Sequence, residues 1–176
     1  MTPELLAQIV GCTVEKASLF AESLSYGMDT YAINTPVRQA AFLAQIGHES
    51  GSFQFTTEIW GPTAWQVKYE NNESLGNIYP GDGFKFRGRG LIQITGRDNY
   101  TACADALCLN CVEEPDILSQ PNYAALSACW WWAAHGCNNL ADQNHFDRIT
   151  RVINGGLNGY DDRRARWVRA KKALGL

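Results

Sequence analysis

Two glutamates open the question of chemistry. Glu49 lies in His48-Glu49-Ser50-Gly51 at the end of a helix-like run, and Glu58 follows nine residues later in an irregular stretch. A carboxyl group on a rigid helix end and a second on a following loop can face each other across a cleft. That is the inventory of acid/base glycoside cleavage, in which one group protonates the leaving oxygen and the other activates water. The partial negative charge at a helix C-terminus opposes a further negative charge and so favours the protonated form of Glu49. Two solvated surface acids would show the same spacing, and the pair by itself leaves both readings open.

Other catalytic signatures fail position by position. His48-Glu49 would begin H-E-x-x-H, but the residue four after His48 is Ser52. Gly88 and Gly90 would begin G-x-G-x-x-G, but its sixth position is Gln93. No G-x-S-x-G occurs. Six cysteines include the pair Cys108 and Cys111, yet Cys103, Cys129, His135 and Cys137 do not complete a zinc set at the usual spacing. Reduced and mostly buried thiols are expected, with no metal and no cofactor.

Phe86-Arg87-Gly88-Arg89-Gly90-Leu91-Ile92-Gln93-Ile94-Thr95 is the most distinctive segment. Gln93, Thr95 and Asn99 alternate with Ile92 and Ile94, which predicts a short strand at 91–95 with a polar face and an apolar face. Uncharged polar groups on a cleft wall suit hydroxyl and N-acetyl groups. An edge strand facing water would look alike. Trp60, Trp65, Tyr69 and Tyr79 precede this segment and could stack on sugar rings or anchor a core. Trp130-Trp131-Trp132 sits in an apolar helical run and reads as core. Near the end, Ile153-Asn154-Gly155-Gly156 closes a helix with a left-handed glycine cap.

Helices must position these residues. Thr2-Pro3, Thr13 and Thr35-Pro36 are start signals, and each is followed by apolar residues at helical spacing. The third run reaches His48-Glu49. Residues 51–90 lack helical period and read as loops with a small hairpin. Helices resume near Arg97–Leu107, Tyr123–His135, His145–Ile153 and Asp161–Leu174. A structureless stretch of this length inside a compact domain is usually functional.

Composition narrows the class. The chain has 176 residues, 45% of them hydrophobic and 19% charged, which is globular. With 15 Lys and Arg against 18 Asp and Glu, the net charge of −3 argues against nucleic-acid binding. No apolar run is long enough to span a membrane, and no secretory signal pattern opens the chain. The charge is uneven. Residues 147–172 carry eight Lys and Arg against three Asp, while the rest carries seven against fifteen acids. A basic end suits a polyanionic surface, and it equally suits a solvated helix face.

The segments together carry a resemblance. Ala41–Gly51 resembles the catalytic-acid motif of glycoside hydrolase family 19, Arg87–Thr95 its G-R-G-x-I-Q-x-[ST] motif, and Ile153–Gly156 its I-N-G-G turn. The short link between the glutamates resembles the lysozyme-like bacteriophage endolysin branch more than the plant chitinases. The resemblance implies a mainly α, lysozyme-superfamily, two-lobed helical domain with a small β-hairpin region and a central cleft, formed by residues 1–176 as a single catalytic domain without a separate wall-binding module. It implies Glu49 as general acid, Glu58 as general base and Thr95 as holder of the attacking water. It places Gln93, Asn99 and Asn154 against substrate, with His48 in support and Arg163 or Arg166 near the cleft. Arg163 is the assignment taken here.

The expected activity is hydrolysis of β-1,4 bonds between amino sugars of peptidoglycan strands by a monomer, leading to lysis of a bacterial host. The enzyme would wait in the host cytoplasm and act on the wall in the periplasm. The basic C-terminal helix is the candidate contact with an anionic envelope surface. A chitinase of the same family is the first alternative, and a catalytically silent wall-binding protein the second.

Overall fold

Threonine caps start the first three helices. The hydroxyls of Thr2, Thr13 and Thr35 accept from the backbone N–H of Leu5, Lys16 and Arg38, so each satisfies one donor that the first turn leaves over. The helices are α1 (Pro3–Val10), α2 (Val14–Thr30) and α3 (Pro36–Glu49). A computed structural model describes all 176 residues. Beyond α3 come α4 (Asp82–Lys85), α5 (Arg97–Leu107), α6 (Pro121–Ala134), α7 (Cys137–Asp142), α8 (Phe146–Asn154) and α9 (Tyr160–Ala173). Three 3₁₀ turns lie at Gln66–Tyr69, Glu73–Leu75 and Pro115–Ser119.

The helical fold is the expected one, and α3 is its centre. Every residue from Ala40 to Gly47 is buried, so the helix is wrapped on all sides. α9 and α1 pack against it, and α2 packs against both α1 and α6. Phe42 of α3 meets Trp132 of α6 edge-on, with ring centroids 5.3 Å apart. Of the three consecutive tryptophans only Trp132 is fully buried; its indole N–H donates to Asn138 at 2.9 Å, and Trp130 and Trp131 cover the core edge. No helix is long and apolar enough to cross a membrane.

The strand expected at 91–95 is absent. Gly90 and Gln93 both have positive φ, +80° and +58°, which turns the chain instead of extending it. The hairpin region shrinks to two isolated antiparallel bridges, Thr57 with Arg89 and Arg89 with Ile94. Alternation of polar and apolar residues here records a tight turn with one buried side: Ile92 and Ile94 are buried, while Gln93 and Thr95 are partly open. α7, the short α4 and the 3₁₀ turns carry no periodic signal long enough to announce them.

Cysteine chemistry is quiet. Cys103, Cys111, Cys129 and Cys137 are buried and Cys12 is partly so, which leaves only Cys108 exposed. All six are free thiols. Burial pushes the Cys137 thiol up to about 12, and Cys129 moves in the same direction.

The basic end is not the uniform solvated face its sequence suggests. Arg163 of α9 is buried and Arg166 partly so, while Arg169 is exposed but bent back onto α1. Arg169 donates to the carbonyls of Ile9 and Val10, and Arg166 to that of Val10. Together they cap the C-terminus of α1, where carbonyls lack helical partners and cations are favoured. Of the six basic residues of α9, only Arg164, Lys171 and Lys172 make no hydrogen bond to the protein through their charged groups.

Candidate active site

Glu49 ends α3, and its neighbour across the fold is not solvent but α9. The Arg163 guanidinium is 1% exposed and donates from Nη2 to Glu49 Oε1 at 2.5 Å. Its Nη1 donates to Gln45 Oε1 at 2.6 Å and its Nε to the Asn158 carbonyl at 3.2 Å. Gln45, one turn before Glu49, donates in turn to Thr150 of α8 at 2.8 Å. One Glu49 oxygen thus carries a charge-assisted hydrogen bond from a buried guanidinium. The Glu49 side chain stays 16% exposed.

Glu58 lies in the irregular stretch after α3, in a cage of three donors. Gln66 Nε2 donates to Oε1 at 3.0 Å, Tyr69 Oη donates to the same oxygen at 3.3 Å, and the Gly88 N–H donates to Oε2 at 3.0 Å. Burial and the Glu58 charge push the Tyr69 phenol up to about 12, so it remains a donor throughout the neutral range. The G-R-G segment earns its glycine here. A Cβ on Gly88 would lie 2.7 Å from Gln93 Oε1 and 3.4 Å from Glu58 Cβ, so a side chain here would displace the Gln93 amide from beside Glu58. The Glu58 N–H donates to the Gly88 carbonyl at 2.8 Å, and the Gly90 N–H to the Thr56 carbonyl at 2.9 Å. Arg89 is buried and structural; it donates to Asp116, Tyr100 and the Lys85 carbonyl.

Beside the Gln66–Tyr69 turn lies a cavity of about 470 Å³. Trp65, Lys68 and Tyr69 line one side, Thr95 the floor, and Ile153 and Asn154 at the end of α8 the other side. Thr95 and Asn154, both singled out in the sequence, line this cavity. Thr95 Oγ1 donates to the Gln93 carbonyl at 2.9 Å. Gln93 and Asn99 shape the floor from behind: Gln93 Nε2 donates to the Gly90 carbonyl and Asn99 Nδ2 to the Thr95 carbonyl.

Two expected substrate contacts are placed elsewhere. Arg163 is sealed beneath Glu49 and has no route to a ligand. His48 donates from Nδ1 to Asp162 Oδ2 at 2.7 Å, Arg166 donates to the same oxygen at 2.6 Å, and the backbone of Gly159 lies against the far edge of the ring. His48 latches α3 to α9 and does not face the cavity. Trp60 packs against Tyr69 and Phe84 instead of standing free, and Tyr79 lies under the Arg97 guanidinium. Gln45 and Gln66 are the residues sequence reasoning did not place at the site, and Tyr69, read there as a stacking or core aromatic, serves instead as a donor to Glu58. Gln45 and Gln66 are polar positions inside buried surroundings, and Gln45 at least was visible as a polar interruption of the apolar run in α3.

A mainly helical domain thus sets Glu49 at the end of α3 against Arg163, and Glu58 against Tyr69, which lines a polar, aromatic cavity. Comparison with known proteins gives the family. The model of glycoside hydrolase family 19, described as chitinase class I, matches residues 14–146. A family 19 domain-containing protein of Haemophilus influenzae is 37% identical over 154 residues, which cover 72% of this chain and 75% of that one. An endochitinase of Arabidopsis thaliana is 38% identical over 118 residues, 66% of this chain but only 38% of that protein. In three dimensions chitinase C of Streptomyces griseus superposes with a TM-score of 0.77 at 24% identity, over 98% of this chain and 76% of that one. The chain belongs to glycoside hydrolase family 19 and is a glycoside hydrolase.

Proposed function

We propose that the protein hydrolyses β-1,4 bonds between the amino sugars of bacterial peptidoglycan by single-displacement inversion. The observation that carries the hydrolytic part is the pair of carboxylates, each fixed by donors that the fold dedicates to it: Arg163 for Glu49, and Gln66, Tyr69 and Gly88 for Glu58. Glu49 protonates the glycosidic oxygen from the end of α3. Glu58 takes a proton from a water that attacks the opposite face of the ring, and Thr95 on the cleft floor helps hold that water. Inversion needs carboxyl groups about 6.5–9.5 Å apart in the substrate complex, which leaves room for the water. Both glutamates are fixed before substrate arrives, so little reorganisation is needed in the transition state.

The peptidoglycan assignment rests on the short link between Glu49 and Glu58, nine positions apart, the feature that resembles the endolysin branch. The endochitinase relatives favour a second reading, cleavage of chitin by the same groups. Mass spectrometry of fragments released from purified peptidoglycan separates them. The expected products carry new reducing ends on the glycan with the stem peptides intact. Glu49→Gln, which keeps an acceptor for Arg163, should lower the rate by about 10²–10⁴-fold without unfolding the protein. Wild-type turnover in that variant, or release of chitin fragments only, would overturn the proposal.

A further inference from the structure

The cavity wall carries a single charge. Among its lining residues Lys68 is the only ionised one; the others offer aromatic, aliphatic, amide and hydroxyl groups. The Lys68 ammonium makes no ion pair with the protein. Its one neighbour of note is the Trp65 ring, whose centroid is 5.4 Å away. Trp65 is itself 66% exposed. A cation over an indole face keeps its charge directed outward while its stem is held.

Lys68 also belongs to the turn that fixes Glu58. Gln66 and Tyr69, on either side of it in the 3₁₀ turn Gln66–Tyr69, both donate to Glu58 Oε1. Gln66 is nearly fully buried, and its amide is fully used: Oε1 accepts from the N–H of Gly61 and Thr63, and Nε2 donates to the Ile59 carbonyl as well as to Glu58. The backbone bearing Lys68 is therefore anchored, and a sugar that meets the ammonium is registered against the candidate base.

Charge then separates the two candidate polymers. Chitin is a neutral chain of N-acetylglucosamine. In peptidoglycan every second sugar bears a lactyl-linked stem peptide with free carboxylates. We infer that Lys68, seated on Trp65, is a specificity residue of the cleft: its ammonium pairs with a carboxylate of the peptide-bearing sugar and so favours an anionic glycan over a neutral one. This rests on the peptidoglycan reading and gives that reading a named determinant.

The test compares wild type, Lys68→Met and Lys68→Glu on three substrates: native peptidoglycan, the same peptidoglycan with its stem carboxylates amidated, and chitin hexasaccharide. The expected result is a fall in the ratio of kcat/KM on native peptidoglycan to that on chitin, about fivefold for Lys68→Met and larger for Lys68→Glu, the size of a partly exposed ion pair. Amidating the wall should erase the difference between wild type and Lys68→Met. Wild-type turnover of native wall should also be the more sensitive to salt. An unchanged ratio, or an equal fall on all three substrates, overturns the inference. If wild type cleaves chitin but releases no reducing ends from peptidoglycan, the peptidoglycan reading fails and the inference falls with it. If wild type cleaves peptidoglycan and Lys68→Met matches it on all three substrates, the inference alone fails.

Discussion

Arg163 and Glu49 form the joint between the candidate acid and the last helix: the guanidinium is buried beneath the carboxylate at 2.5 Å and braced by Gln45 from the same face of α3. Removing one partner of such a pair strands the other. Arg163→Met should cost about 3 kcal/mol of stability, or roughly 10 °C in Tm, and should lower kcat as Glu49 loses its fixed position. Urea unfolding of the single variants and of the Glu49→Gln/Arg163→Met double variant checks this. The double variant should lose less than the sum of the two, because the stranded charge is gone.

Gln66 is the corresponding brace for Glu58. Gln66→Glu keeps the acceptor for the N–H of Gly61 and Thr63 but sets a carboxylate against Glu58 where a donor stood. A misplaced catalytic group costs up to about a hundredfold in rate. The expected pattern is a fall in kcat of that order with KM changed far less. Tyr69→Phe removes the longer, 3.3 Å contact and should cost several-fold less than Gln66→Glu. Steady-state kinetics on a soluble glycan fragment read both.

The contrast between these two braces explains what could be read from the chain alone. The helices around Glu49 follow from threonine caps and helical period, which are local properties, and residues 97–107 were legible to the residue. The 51–96 region holds its shape by contacts between distant backbones, such as Glu58 with Gly88, and a hydrophobic pattern contains no record of them. Polar alternation at 91–95 looked like a strand because a turn that buries two isoleucines produces the same order of residues. Arg163 was visible as a basic residue near the cleft, but its burial depends on α9 packing across α3, and sequence spacing does not show on which face an arginine points. The motifs located the two glutamates; the groups that hold them came from the fold.

Acid should weaken the lobe that carries Glu58. Two hydrogen bonds from Arg97, at 2.6 and 2.9 Å, together with the N–H groups of Ile78 and Tyr79, hold the buried Asp82 carboxyl below the usual aspartate range. Arg38 does the same for Asp142. A carboxyl depressed in the folded state contributes stability above its ordinary value of 3.8, and that contribution is lost as pH falls below it. Stability should therefore be flat in the neutral range and drop below about pH 4. Asp82→Asn should lose about 2 kcal/mol at pH 7 and show a shallower drop in acid. Thermal unfolding from pH 7 to pH 2.5 measures both slopes.

The six basic residues of α9 divide by what they touch, and stability should divide with them. Arg169 donates to two carbonyls at the end of α1, and Arg166 donates to one of them, to Ser52 and to Asp162. Arg169→Met leaves those carbonyls without their donors and should cost about 1–2 kcal/mol. Arg164 and Lys172 are exposed, and Lys171 lies over the Trp167 ring at 4.8 Å. Changing these three to glutamine should alter stability by only about 0.5 kcal/mol per site. Their charge is then available for an anionic wall, so the triple variant should be retained less on isolated cell walls at low salt and equally at high salt. Equal retention at every salt concentration would show that this end of α9 is a solvated face, and that the helix uses its cations only to seal α1 and to hold Glu49.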